Sequence, residues 1–228
     1  MKKLGVLTAM SVEFNQLAAM LADEESVRIG NDTYMTGKVG ENEIVLVQCG
    51  IGKVNAAMGV ALLIERFHPD MIVSTGVAGG VDVSLNVMDV VVSTETVYHD
   101  MWCGPGNEWG QVQGLPLRLT CDKSLVEVAT NLDTDVNVVP GLICTGDLFV
   151  DKTEEQQRIK GLFPDAMAVD MESNAIAQVC HVQGVPFVSF RIISDTPVHK
   201  DNFSQYKDFW RTMADKSFAV TRTFLINI

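Results

Sequence analysis

The chain has 228 residues, 47% of them hydrophobic and 20% charged, with a formal net charge of −12 and a sequence pI near 4.6. That composition suits one globular domain over residues 1–228 with a large core, and it argues against nucleic acid as a partner, because a phosphate-backbone binder needs clustered Lys and Arg. No apolar run approaches the ~18 residues of a membrane span, MKKLGVLTAM lacks a signal peptide's apolar core and cleavage site, and the odd set of five cysteines has no CxxC pair, so a cytoplasmic protein without disulfides or membrane contact is expected.

Lys3 to Leu7 predicts a short strand, broken at Thr8-Ala9-Met10-Ser11. The apolar spacing Phe14, Leu17, Ala18, Leu21 then predicts a helix, with Ser11 as its N-cap and Glu13 in its first turn. A first-turn glutamate usually complements the helix dipole. Its position directly after the first strand gives it a functional claim as well.

Two alternating runs between Thr33 and Gln48, separated by Gly40-Glu41-Asn42, predict a β-hairpin. Cys49-Gly50-Ile51-Gly52-Lys53 follows, then a helix from about Val54 to Phe67. Two glycines between strand and helix suit close approach to a ligand. Neither common phosphate loop is present, since Val54 stands where a Walker A loop needs Ser or Thr and Asn55 where the dinucleotide fingerprint needs glycine.

Met71 to Ser74 predicts a buried strand running into a small-residue loop, Thr75 to Gly80, which suits either a bound molecule facing its N–H groups or an ordinary tight turn. Asp89 to Ser93 predicts another strand. Tyr98 to Pro116 is rich in glycine and aromatic residues and lacks periodicity, as a lid or an interface would. Within it, His99 and Asp100 fit a loop hydrogen bond, and the four histidines show no metal-ligand spacing. A helix over Ser124 to Leu132 and a strand over Val136 to Cys144 lead to Thr145-Gly146-Asp147-Leu148-Phe149-Val150. Phe149 could stack on a flat base, although a phenylalanine at a strand end is more often core.

After a helix from Glu154 to Gly161 comes AMAVDMESNAIAQVCHVQGVPFVSFRIISD, residues 166–195, on which the chain is organised. Two apolar runs, Ala166 to Val169 and Val185 to Ile193, flank a helical pattern and deliver Asp170, Glu172 and Asp195 to strand ends, where ligand crevices of open α/β sheets lie. Asp170 and Ser173 read first as helix caps. Arg191 inside the second run is a buried cation in need of a partner, and strand alternation puts it on the same face as Asp195. An irregular segment with Pro197, His199 and Phe203 precedes a last helix from about Tyr206.

Seven motifs in order, GVLTAM followed by Glu13, CGIGKVNAA, TGVAGG, YHD, TGDLFV, VDMES and RIISD, resemble those of the bacterial 5′-methylthioadenosine/S-adenosylhomocysteine nucleosidases, within the nucleoside phosphorylase family. The resemblance implies an α/β fold, a three-layer α/β/α sandwich around a central mixed sheet. It also implies a homodimer and hydrolysis of the bond between adenine and a 5′-thio-substituted ribose, without metal or other cofactor. Asp195 would protonate adenine N7 with support from Ser194, Glu172 would hold the ribose hydroxyls, Glu13 would activate water and Arg191 would help position it. Phe149 and the backbone of Val150 would receive adenine, Met171 would underlie the ribose, and Ala78 with Gly79 would border the site. Met10, Ile51 and Val169 complete the implied substrate-binding set.

The chain departs from the family's common pattern at Val77, where serine is frequent, at Asp170, where glutamate is common, and across Met101 to Gly114, the region that in this family reaches the partner's site. Trp102, Pro105, Phe203 and Tyr206 are candidates for the 5′ end of the substrate, with packing the more usual role for each. The chemistry matches the residue types independently, because cleaving an N-glycosidic bond develops positive charge on ribose and negative charge on the purine. A nucleoside phosphorylase, a catalytically silent binder and a nucleosidase acting on aminodeoxyfutalosine are the competing readings. Phosphorolysis is disfavoured because MIVST and GVLTAM carry no arginine to clamp phosphate.

Overall fold

Strands and helices alternate along most of the chain in this computed structural model, which describes residues 1–29, 32–196, 202–212 and 214–228. The first half holds β1 (Lys3–Thr8), α1 (Ser11–Ala18), β2 (Ala22–Ile29), β3 (Asp32–Val39), β4 (Asn42–Gln48), α2 (Lys53–Phe67), β5 (Met71–Gly80) and β6 (Val90–Tyr98). The second holds β7 (Leu119–Thr120), α3 (Lys123–Thr130), β8 (Val138–Thr145), α4 (Thr153–Leu162), β9 (Ala166–Asp170), α5 (Ser173–Gln183), β10 (Phe187–Asp195), α6 (Asn202–Thr212) and α7 (Ala214–Asn227). The expected Pro197 and His199 lie outside the described residues.

The sheet is mixed, as expected, in the order β10-β6-β8-β9-β5-β1-β4-β3-β2, with β7 beside β6. A further pairing of β10 with β5 closes β10, β6, β8, β9 and β5 into a ring. Ala78, Val91, Ile143, Ala168 and Ile193, one from each of those strands, pack on one another. Period-two alternation divides the remaining core. Val6, Leu46, Val73 and Phe190 pack with Leu17 of α1, Leu125 of α3 and Phe218 and Phe224 of α7. Leu7, Val47, Ile72 and Phe187 pack instead with Val60 and Leu63 of α2 and with Ile176 and Cys180 of α5. Each fully buried aliphatic side chain contributes ~1.5–3 kcal/mol.

Several elements differ from expectation for identifiable reasons. Met10, not Ser11, caps α1. The helix α3 starts one residue early, capped by Asp122, whose side chain accepts from the Leu125 N–H. Thr75 to Gly80 is not a loop: β5 runs through it, paired with β10 along Thr75 to Gly79 and with β9 at Gly79 and Gly80. β2 had no sequence signal, because ADEESVRI has no apolar alternation. It lies at the end of the strand order, exposed over most of its length, and its acidic residues discourage pairing with a further strand. The five cysteines are free, and no helix among the described residues is long and apolar enough to cross a membrane.

Candidate functional site

The sequence-predicted residues meet at one cleft of about 630 Å³, part of it open to solvent. It is walled by the turn after β1 (Ala9, Met10), Glu13 of α1, Ile51, the end of β5 (Val77, Ala78, Gly79), the segment after β8 (Leu148, Phe149, Val150), the end of β9 (Val169, Asp170, Met171, Glu172) and the end of β10 (Ser194, Asp195). Tyr206 of α6 completes it. Arg191 alone of the expected set is not on the wall and sits one layer behind it, 1% exposed.

Glu13 owes its position to the way α1 begins. Its Oε2 accepts from the N–H groups of Ala9 at 3.1 Å and Met10 at 3.0 Å, so the carboxylate folds back over the start of its own helix. Its Oε1 accepts from the Val77 N–H at 3.1 Å, joining β1 to β5. Gly76 makes this possible: a Cβ there would stand 2.5 Å from Glu13 Oε1 and 2.9 Å from Arg191 Nη1. Burial raises the pKa of Glu13 against the opposing pull of Arg191 and of its three backbone donors.

Glu172 stands at the N-terminus of α5 and accepts from the Gly52 N–H at 3.0 Å; the glycine pair between β4 and α2 is required by its backbone, with φ of 93° at Gly50 and 94° at Gly52. Its Oε2 lies 3.7 Å from Arg191 Nη2. Burial pushes its carboxyl up to about 7; Arg191 opposes the shift and Asp170 adds to it. Both glutamates thus hold protons more tightly than in an unfolded chain. The contribution of Glu172 to stability is full below about pH 4.5 and is lost as pH rises through about 7, and that of Glu13 is likewise lost as pH rises. Glu172→Gln, which mimics the protonated group, should therefore gain stability relative to the unmodified protein between pH 5 and 8; thermal unfolding across that range checks it, and a difference constant with pH would count against it.

Arg191 has the partners its burial demands. Its Nε lies 3.0 Å from Asp170 Oδ2 and 3.1 Å from Ser189 Oγ, and its Nη2 donates to Ser74 Oγ at 2.8 Å. The expected alternation linking Arg191 to Asp195 is interrupted by a bulge between Ile193 and Asp195, where β10 shifts against β5. Arg191's ion pairs are with Asp170 and Glu172. Asp170 is accordingly more than a helix cap, although its carboxylate also accepts from the Ser173 N–H.

Asp195, 4% exposed, takes the Ser194 hydroxyl at 2.7 Å, and its Oδ2 faces Gly79, where a Cβ would come within 3.4 Å. Phe149 is not core: it is 44% exposed, with its ring 5.4 Å from that of Tyr206 and 6.1 Å from that of Phe203. Tyr206, for which packing was the more usual role, lines the cleft, and its hydroxyl reaches Met10 Sδ at 3.5 Å. Trp102 stacks on Trp109 away from the cleft. His99 and Asp100 do not bond each other as a pair; Asp100 instead accepts from Lys53 Nζ at 2.9 Å and from the Asp147 N–H at 2.8 Å, tying the loops before α2 and after β8.

The wall therefore presents Glu13, Asp170, Glu172 and Asp195 and, among the described residues, no lysine or arginine. Such a surface suits a polyhydroxylated ligand that becomes cationic, with an aromatic and aliphatic patch for a flat apolar group.

The Phosphorylase superfamily model matches residues 3–226. The chain is 41% identical over 219 residues to the 5′-methylthioadenosine/S-adenosylhomocysteine nucleosidase of Geobacillus sp. (strain WCH70), covering 94% of each. It is similar to the S-adenosylhomocysteine nucleosidase of Streptococcus pyogenes solved with 5-methylthiotubericidin, at 37% identity and a TM-score of 0.92, over 100% of this chain and 97% of that one. It is also similar to the 5′-methylthioadenosine/S-adenosylhomocysteine nucleosidase of Neisseria meningitidis solved with methylthio-immucillin-A, at 35% identity and a TM-score of 0.93, over 100% of both.

Proposed function

The chain belongs to the Phosphorylase superfamily and, within it, to the 5′-methylthioadenosine/S-adenosylhomocysteine nucleosidases, and on that premise we propose that it hydrolyses the N-glycosidic bond of both nucleosides to release adenine. The observation that carries the reading is that Glu13, Glu172 and Asp195 line a single cleft with Phe149.

In the proposed reaction the C1′–N9 bond breaks with its electron pair leaving on the purine, while Asp195 gives a proton to N7. Glu172 hydrogen-bonds the ribose hydroxyls and, with Glu13, stabilises the positive charge that develops on the sugar. Water then bonds to C1′ and loses a proton to Glu13. Arg191 acts through the two glutamates, while Phe149 and the backbone of Val150 receive adenine and Met171 underlies the ribose. Ala78, Gly79, Met10, Ile51 and Val169 shape the remaining wall.

Water rather than phosphate is the nucleophile in this reading, because a phosphate dianion would enter a cleft of four carboxylates with no cation on the wall among the described residues. The test is adenine release from methylthioadenosine and S-adenosylhomocysteine in phosphate-free buffer. Full activity there is expected, and strict phosphate dependence would overturn the choice of hydrolysis.

The same reading includes a single catalytic domain, a cytoplasmic location and a homodimer. The dimer is supported by three exposed apolar side chains, Ile51 on the cleft wall and Val54 and Met58 one turn apart in α2, which are 51%, 70% and 59% exposed.

A further inference from the structure

We propose that Asp170 is a positioning residue for the hydrolysis: it holds the Arg191 guanidinium at Nε, so that Nη1 is left beside Glu13 and Nη2 faces Glu172. The inference rests on the functional reading above and adds a residue to it.

The geometry is that of a junction. Asp170 Oδ1 accepts from Thr145 Oγ1 at 2.6 Å, from the Ser173 N–H at 3.2 Å and from the Glu172 N–H at 3.4 Å. Oδ2 accepts from the Ser173 hydroxyl and pairs with Arg191 Nε at 3.0 Å. One carboxylate therefore ties the end of β8, the start of α5 and the middle of β10. The Ser173 hydroxyl also accepts from Arg191 Nε and Nη2 at 3.3 Å and bridges to Ser189 Oγ at 2.6 Å. With Nε engaged and Nη2 held by Ser74, the guanidinium cannot turn, and Nη1 is left over Gly76 beside Glu13.

Asp170 thereby decides how much of the arginine's charge reaches the two glutamates. Three carboxylates, Asp170 on β9, Glu172 at α5 and Glu13 on α1, act on this cation, and the nearby Cys49 thiol after β4 is kept protonated by burial. Tyr206 on α6 is within electrostatic reach of Glu13, Glu172 and Asp195. Neutralising Asp170 removes a repulsive neighbour of Glu172 and returns the charge of Arg191 to the pair. Both changes make the glutamates lose their protons at lower pH. A residue that only capped α5 would alter stability and leave that titration where it was.

The experiment is the pH dependence of kcat and KM for adenine release from methylthioadenosine, measured for the unmodified enzyme, Asp170→Asn and Asp170→Glu. Asp170→Asn should lower kcat by up to ~10²-fold through misplaced groups, with KM little changed, and should move the acid limb of the kcat profile down by about one pH unit. Asp170→Glu restores the charge and should keep the limb in place. If Asp170→Asn does not fold, Ser173→Ala carries the test: loss of the hydroxyl between Asp170 and Arg191 should lower kcat without raising KM. An unmoved limb in Asp170→Asn, the same shift in Asp170→Glu, or unchanged kcat in Ser173→Ala would each overturn the inference alone. An unmodified enzyme that releases no adenine would overturn the functional reading, and the inference with it.

Discussion

Asp195→Asn should slow adenine release by ~10²- to 10⁴-fold, the contribution typical of a positioned general acid. Asparagine preserves the volume at the end of β10 and can still accept from Ser194, whose hydroxyl lies 2.7 Å from the carboxylate. It has no transferable proton for the leaving purine. Binding should therefore survive where turnover does not, because Glu172, proposed to hold the ribose, and the aromatic side chains of Phe149 and Tyr206 on the same wall are untouched. Calorimetric titration with methylthioadenosine alongside single-turnover kinetics separates the two quantities. Turnover unchanged in the variant would remove Asp195 from the proton-donor role, and joint loss of binding and turnover would make it a binding group.

The largest effect on stability should come from Arg191→Met. The side chain is 1% exposed and its ion-pair partners Asp170 and Glu172 are almost equally buried. Assembling such a cluster is nearly neutral against an apolar alternative, because desolvation offsets attraction, but removing one member leaves the others uncompensated. A loss of ~3–5 kcal/mol at neutral pH is expected, read by urea denaturation. Part of it should return as pH falls, since Glu13 and Glu172 then take up protons and no longer need the cation. A loss below ~1 kcal/mol, the range of exposed ion pairs, would mean that the cluster relaxes into contact with water.

Much of the site was legible because its motifs are local. Glu13 directly after β1, Glu172 directly after β9 and Asp195 at the end of β10 are delivered by strand ends, and strand ends can be read from apolar runs. The need of Arg191 for a partner was legible too, since a cation within a nine-residue strand buried throughout cannot remain unpaired. Which partner it takes was not, because Asp170 and Glu172 lie on other segments and the bulge before Asp195 breaks the alternation that put Asp195 on the face of Arg191. Phe149 was equally ambiguous: its sequence neighbourhood suits core or cleft, and only the approach of α6, bringing Phe203 and Tyr206, places it at the cleft.

By itself the sequence determined the order of most elements, the faces each strand presents to its helices and which acidic residues stand near strand ends, because periodicity and strand-end composition are properties of a few neighbouring residues. Only the tertiary structure decided that β5 continues through its run of small residues, that the acidic β2 pairs with β3, and that Asp170 pairs with Arg191 while Glu13 closes over Gly76. Those outcomes depend on contacts between segments far apart in the chain, where burial and charge balance are set by whatever the fold brings alongside.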